Sequence, residues 1–103
     1  MREGFVTPPK HGGFEAKKLF DRVGELTDVS IAYIEPHGGG PTEKHTHGHN
    51  HLFVVTQGRA RIQSGDKTIL LEKDQSYLLE GNVPHSVWND SNETTVMIGI
   101  TLK

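Results

Sequence analysis

From residue 14 onward the chain is a succession of short β-type runs, each closed within a few positions by turn residues, and no helical period persists over three turns. The runs are Phe14–Phe20, Val29–Ile34, Glu43–His47, His51–Thr56, Ala60–Ser64, Lys67–Leu71, Ser76–Leu79, Ser86–Trp88 and Thr95–Leu102. Between them stand the Gly/Pro-rich stretch 36–41, Gln57-Gly58, Ser64-Gly65-Asp66, Lys73-Asp74, 81–84 and 89–92. Gly and Asn supply the positive φ of tight turns, and Pro ends strand pairing. Many short strands at this spacing predict an all-β sandwich or barrel. The last run alternates, with Val96, Ile98, Ile100 and Leu102 on one face and Thr95, Met97, Gly99 and Thr101 on the other. Residues 22–27 are too few for a helix and contain Gly24.

A chain of 103 residues has room for one modest core. Residues 1–13, with Pro8, Pro9, Gly12 and Gly13, are expected to form an irregular N-terminal arm, and residues 14–103 a single β-barrel domain. Only 33% of the residues are hydrophobic and the mean hydropathy is −0.51. So thin an apolar supply suggests that a metal or a partner subunit supplements the core. The net charge of −2 and scattered Lys and Arg argue against nucleic acid as a partner. No apolar run approaches the ~18–20 residues of a membrane span. The N-terminal residues lack the apolar core of a secretory signal, so a cytoplasmic location is expected.

There is no cysteine, which excludes disulfides, thiolate zinc sites, iron–sulfur clusters and cysteine nucleophiles. A metal would have to bind through His and oxygen. The chain has seven histidines, four of them between positions 45 and 51. On an extended strand His45 and His47 share one face, at a spacing able to chelate one ion. Gly48 and Asn50 allow a turn, and His51 then opens an apolar run whose Phe53 and Val55 share its face. His85 supplies a fourth imidazole from a distant strand. The competing interpretation is a surface histidine cluster with no physiological ion. His49 falls in the proposed turn and is expected at an exposed rim; His11 and His37 lie in Gly/Pro-rich loops and are expected to be solvated.

The stretch from Gly39 to Gly58 resembles the first motif of the cupin superfamily: Gly, five residues, His-x-His, three or four residues, Glu, six residues, Gly. Gly39, His45, His47, His51 and Gly58 occupy those positions, with His51 where most cupins have Glu. The second motif is Gly, five residues, Pro-x-Gly, two residues, His, three residues, Asn. Here it reads Asp74, Glu80, Asn82, His85 and Asn89, so the His and Asn match while the Gly and Pro positions are replaced. Asp and Asn are the substitutions for Gly that best tolerate left-handed backbone. The resemblance spans roughly residues 29–102. It implies a jelly roll of two antiparallel sheets, a double-stranded β-helix, with the metal inside near one end.

One divalent first-row transition metal per chain is therefore expected on His45, His47, His51 and His85. Imidazole suits Fe, Mn, Ni, Cu or Zn and disfavours Mg and Ca. With His51 in place of Glu, four neutral ligands leave the +2 charge of the ion uncompensated. On an octahedral ion they leave two positions for a bidentate substrate, or for one substrate oxygen and O₂; tetrahedral zinc on four His would be closed and structural.

Tyr77, Trp88, Asn89, Gln57, Arg59 and Arg61 are secondary candidates for reaching the cavity. Asp74 and Glu80 lie in turns and are expected to face water. No catalytic triad, phosphate loop or catalytic carboxylate pair is evident, so catalytic residues and an organic cofactor are not assigned. Two functions follow. One is a metal-dependent enzyme, dioxygenase-like or an isomerase or decarboxylase, acting on a small anionic, oxygen-rich substrate. The other is a non-catalytic binding module for a small ligand. A regulator would need a DNA-binding domain for which a 103-residue chain used by the barrel leaves no room. A homodimer is expected, because 52–55 and 69–71 are apolar on both faces and one face needs cover.

Overall fold

The computed structural model describes the backbone of residues 2–45 and 48–102, and their side chains apart from those of 21 and 43–45. Among these residues there are eight strands and no helix: β1 (Gly12–Val23), β2 (Leu26–His45), β3 (Asn50–Gln57), β4 (Arg59–Ser64), β5 (Lys67–Glu72), β6 (Ser76–Leu79), β7 (His85–Trp88) and β8 (Thr95–Leu102). Every strand pairing is antiparallel, and the hydrogen-bonded order is β5-β4-β7-β2-β8-β3-β6, with β1 added on β2. This is the all-β barrel that the strand rhythm predicts, and it fits the jelly roll that the resemblance implies.

β2 links the two halves of the one continuous sheet. Residues 26–34 lie between β1 and β8, whereas 39–45 pair with β7. The sequence suggests a divider at 36–41; instead the chain runs on through it as one strand of 20 residues. Gly39 and Gly40, at φ 151° and 150°, let the strand bend from its β1 and β8 partners to β7 without reversing. A Cβ on Gly39 would collide with the Val87 carbonyl and lie 2.7 Å from a Trp88 ring carbon, so β2 and β7 approach closely because that side chain is missing.

Asn89 holds the bend. It is fully buried, and its Nδ2 donates to the carbonyls of Ile34 (2.9 Å) and Glu93 (2.7 Å). Its Oδ1 accepts from the Ser91 amide and hydroxyl, so the buried amide is satisfied at both ends. Backbone bonds add to this: His37 N–H donates to Asn89 O at 2.7 Å, and Asn89 N–H to Gly38 O at 2.9 Å.

Period-two alternation sorts the side chains. Inward go Phe14, Ala32, Ile34, Phe53, Val55, Ala60, Ile62, Leu71, Leu79, Val87 and Met97, which make one core. Ile34, Val55 and Ile62 are completely buried, each contributing about 1.5–3 kcal/mol relative to exposure. The turns use left-handed backbone where the sequence anticipates it: Asp74 and Asn82 have φ 69° and 66°, and Gly58 has φ 74°. Residues 22–27 form the tip of the β1–β2 hairpin, with Gly24 at φ 57°. The N-terminal arm is pinned against this hairpin by a Val6–Ala16 bridge, by Arg2 paired with Glu15 at 2.7 Å, and by Arg2 lying 3.8 Å over the Tyr33 ring.

Candidate functional site

His51 heads the inward row of β3, and His85 that of β7, strands separated in the sheet order by β2 and β8. Their rings meet inside the barrel with centroids 5.6 Å apart and planes tilted by 58°. His85 is 8% exposed, and its Nδ1–H donates to the Val83 carbonyl at 3.1 Å. His51 is half-buried, stacks on Phe53 at 5.7 Å, and has Nδ1 3.2 Å from Thr101 Oγ1. The Val83 carbonyl can only accept, so His85 carries its proton on Nδ1 and its lone pair on Nε2; the Thr101 hydroxyl can donate to or accept from His51 Nδ1 and fixes the angle of that ring. A metal-binding histidine is oriented in the same way, by a hydrogen bond from its other nitrogen.

The two rings line a cavity of about 220 Å³ together with His11, Phe14, Pro41, Phe53, Val87 and Met97. Its walls are largely apolar, and such walls strengthen electrostatic attraction inside. Of the predicted quartet, His51 and His85 are brought together by the fold. The backbone of His45 is the register partner of His85, which sets that residue beside the pair. The His45 side chain and all of His47 lie outside the described residues. Among the described residues no group of three or more His, Cys, Asp or Glu side chains converges. The donors that are described fit a first-row ion in chemistry: one buried and one half-buried imidazole, each held by an oxygen at Nδ1.

His11 departs from expectation. It is half-buried rather than solvated, its ring edge-on to Phe14 at 4.6 Å and its Nδ1–H donating to the Pro9 carbonyl at 2.7 Å. A Cβ on Gly40 would lie 2.9 Å from this ring, so the glycine makes room for it. The run Gly38-Gly39-Gly40 is the signal that could have shown this, because a strand without side chains admits close neighbours on its face. His37 and His49 are exposed, as expected.

The secondary candidates lie elsewhere. Arg61 points outward, pairing with Asp90 and standing 6.0 Å over the Trp88 ring. The Arg61 guanidinium, through its hydrogen bond first and its charge second, holds the Asp90 carboxyl below its ordinary range. Trp88 is half-buried on the outer face, where its Nε1–H donates to Ser86 Oγ at 3.0 Å. Tyr77 packs against the core, Gln57 and Arg59 are exposed, and Asn89 serves the bend. Asp74 and Glu80 are exposed. A larger depression of about 650 Å³ at Gly58, Arg59, Glu72, Lys73 and Glu93 shares no lining residue with the histidine cavity.

The chain belongs to the cupin family: the Cupin domain model matches residues 30–101. Solved structures share the fold at low identity. The polyketide cyclase RemF from Streptomyces resistomycificus superposes with a TM-score of 0.78 at 18% identity, over 94% of this chain and 70% of that one. The Cupin_2 domain of an XRE family transcriptional regulator from Enterobacter cloacae gives 0.77 at 20%, over 89% and 98%. A predicted oxalate decarboxylase from Thermotoga maritima gives 0.73 at 12%, over 86% and 79%. Among curated proteins there is no match. Among the described residues no helix is long and apolar enough to cross a membrane.

Proposed function

We propose that this cupin holds one divalent first-row transition ion, Fe, Mn, Ni, Cu or Zn, on His45, His47, His51 and His85, and uses it on a small anionic, oxygen-rich substrate. The reaction class is dioxygenase-like, or an isomerisation or decarboxylation. The observation that carries this is the His51–His85 pair, 5.6 Å apart in an apolar-walled cavity with each Nδ1 fixed by an oxygen. When bound, the ion supplies a Lewis-acid centre that attracts an anion and lowers the pKa of a coordinated enol or water. The protein's own residues prepare the place. The Val83 carbonyl sets the tautomer and angle of His85, and Thr101 sets the angle of the His51 ring. Phe14, Phe53, Val87 and Met97 exclude water, and His11 presents a polar edge at the same cavity.

One observation favours the alternative, a non-catalytic binding module. Among the described residues lining the cavity there is no carboxylate, Lys or Tyr, and histidines are the proton-carrying groups on those walls. The regulator domain from Enterobacter cloacae offers the analogy of a cupin within a regulatory protein.

The test is a titration of the wild type, loaded with Fe, Mn or Cu, against simple carboxylates and catechol-type chelators, with O₂ uptake followed in parallel. His51→Glu and His51→Ala are compared in metal-matched samples. The enzyme reading expects anion binding and turnover, with His51→Glu retaining the ion while weakening anion binding. Binding without turnover favours the module, and no binding at all defeats both.

We also infer that the chain pairs with a second copy. On the outer sheet face Val29 and Ile31 of β2 stand opposite Ile100 and Ile98 of β8, which in turn face Leu52 and Val54 of β3. Leu78, 48% exposed, extends this row from β6. A continuous apolar sheet face of this kind is suited to burial against an identical one.

A further inference from the structure

A second hollow, of about 150 Å³, lies beside the histidine cavity. The two share His51, Phe14, Phe53 and Met97, so they are two lobes meeting at the His51 ring. Both have largely apolar walls. The second lobe is polar on one side, where Asp28, Ser30 and Thr101 line it.

Strand register explains how these groups come together. Asp28 of β2 stands opposite Thr101 of β8, Ser30 opposite Gly99, and Thr101 opposite His51 of β3. Cross-strand partners share a face, so the carboxylate, the two hydroxyls and the imidazole form one inward patch. Gly99 leaves the space between them. Its φ lies outside the left-handed region, and a Cβ there would only touch the Phe53 ring at 3.5 Å. The hollow therefore exists for want of a side chain, not because the backbone demands glycine.

The Asp28 carboxylate forms no ion pair with any described residue, and Lys18, register partner of Ser30, does not reach it. The Ser30 hydroxyl likewise makes no side-chain hydrogen bond within the described protein. Both residues are half-buried. Polar groups placed in this way are completed by water or by a ligand. Thr101 Oγ1 touches His51 Nδ1 and so links the two lobes.

We propose that Asp28, Ser30 and Thr101 form a subsite for the hydrogen-bond-donating end, ammonium or hydroxyl, of a small ligand whose anionic end lies at the His51–His85 pair; this rests on the reading of that pair as an anion-binding centre. An ionised carboxylate only accepts hydrogen bonds, so the group it takes must donate. Its charge favours ammonium over hydroxyl, since charge-assisted hydrogen bonds are about twice as strong. The ligand is therefore polar at both ends, with a short apolar middle against Phe53 and Met97.

Calorimetric titration of the metal-loaded protein with acetate, butyrate, γ-hydroxybutyrate and γ-aminobutyrate tests this. Acetate reports on the histidine centre alone. Wild type should bind γ-aminobutyrate about tenfold more tightly than butyrate, a difference of ~1.4 kcal/mol, with γ-hydroxybutyrate between them. Asp28→Asn should abolish the ammonium advantage, and Gly99→Leu, by filling the lobe, should weaken all three longer probes; acetate binding and the melting curve should be unchanged in both. A hydroxyl preference equal to the ammonium one supports the subsite with a neutral donor. If acetate binds but the longer probes are not discriminated, or Asp28→Asn leaves their order intact, the subsite is overturned while the anion centre stands. If no probe binds, the anion centre itself is overturned and the subsite with it.

Discussion

His51 of β3 and Thr101 of β8 are backbone register partners, and their side chains also meet, Nδ1 to Oγ1 at 3.2 Å. The strand pairing that builds the sheet thereby also fixes the rotation of an imidazole at its end. Phe53, stacked two positions along with ring planes only 2° apart, supports the same orientation.

Thr101→Val keeps the shape and β-branching of the side chain and removes only the hydroxyl. Loss of such an orienting partner typically costs 10–100-fold in metal affinity, roughly the range expected here. The cost to folding should be small, about 1 kcal/mol, as for one hydrogen bond. Competition with a calibrated chelator, set beside a urea denaturation curve, separates the two effects. A fall in stability with unchanged metal affinity would show that Thr101 serves only the sheet.

Asn89→Ala should destabilise the barrel by about 2–4 kcal/mol, because the carbonyls of Ile34 and Glu93 lose their donor inside the protein. Asn89→Asp, nearly identical in shape, should be no better, since it would direct a carboxylate at those two carbonyls. Denaturant midpoints of both variants check this, and a silent Asp substitution would contradict the role assigned to the bend.

Leu78→Lys and Ile98→Lys place charges on the outer face of β6 and β8 and away from the core. Size-exclusion chromatography with light scattering at micromolar concentration should give a dimer mass for wild type and a monomer mass for the variants. A monomeric wild type would refute the pairing.

Much of this fold is visible in the sequence, because alternation and turn residues directly encode strands buried on one face. The run Val96, Ile98, Ile100, Leu102 marks β8 and the side chains that share a face, though not which face turns inward. Asp74 and Asn82 mark left-handed turns even without glycine. The stretch 36–41 misleads: Gly and Pro signal a departure from regular strand geometry, but whether the chain reverses or bends onward depends on what packs against it, here Trp88 and Val87 of β7. The pairing of His51 with His85 has no local signature, since it arises from two strands brought together by β2. The same is true of His11, whose place at the cavity depends on the missing side chain of Gly40. Asp28 has no signature in the sequence either. It looks like a polar residue near a hairpin until its register with Thr101 turns it inward.

The central claim is that His85 is a metal ligand, with His45, His47 and His51 completing the set at distances of roughly 2.0–2.3 Å. Elemental analysis of wild type, His47→Ala and His85→Ala, purified alike and loaded with the same ion, tests it most directly. One ion per chain in wild type, its loss in both variants, and a lower melting temperature for each without metal-dependent stabilisation are the results predicted. Metal content unchanged in either variant, in protein that remains folded, would contradict the assignment.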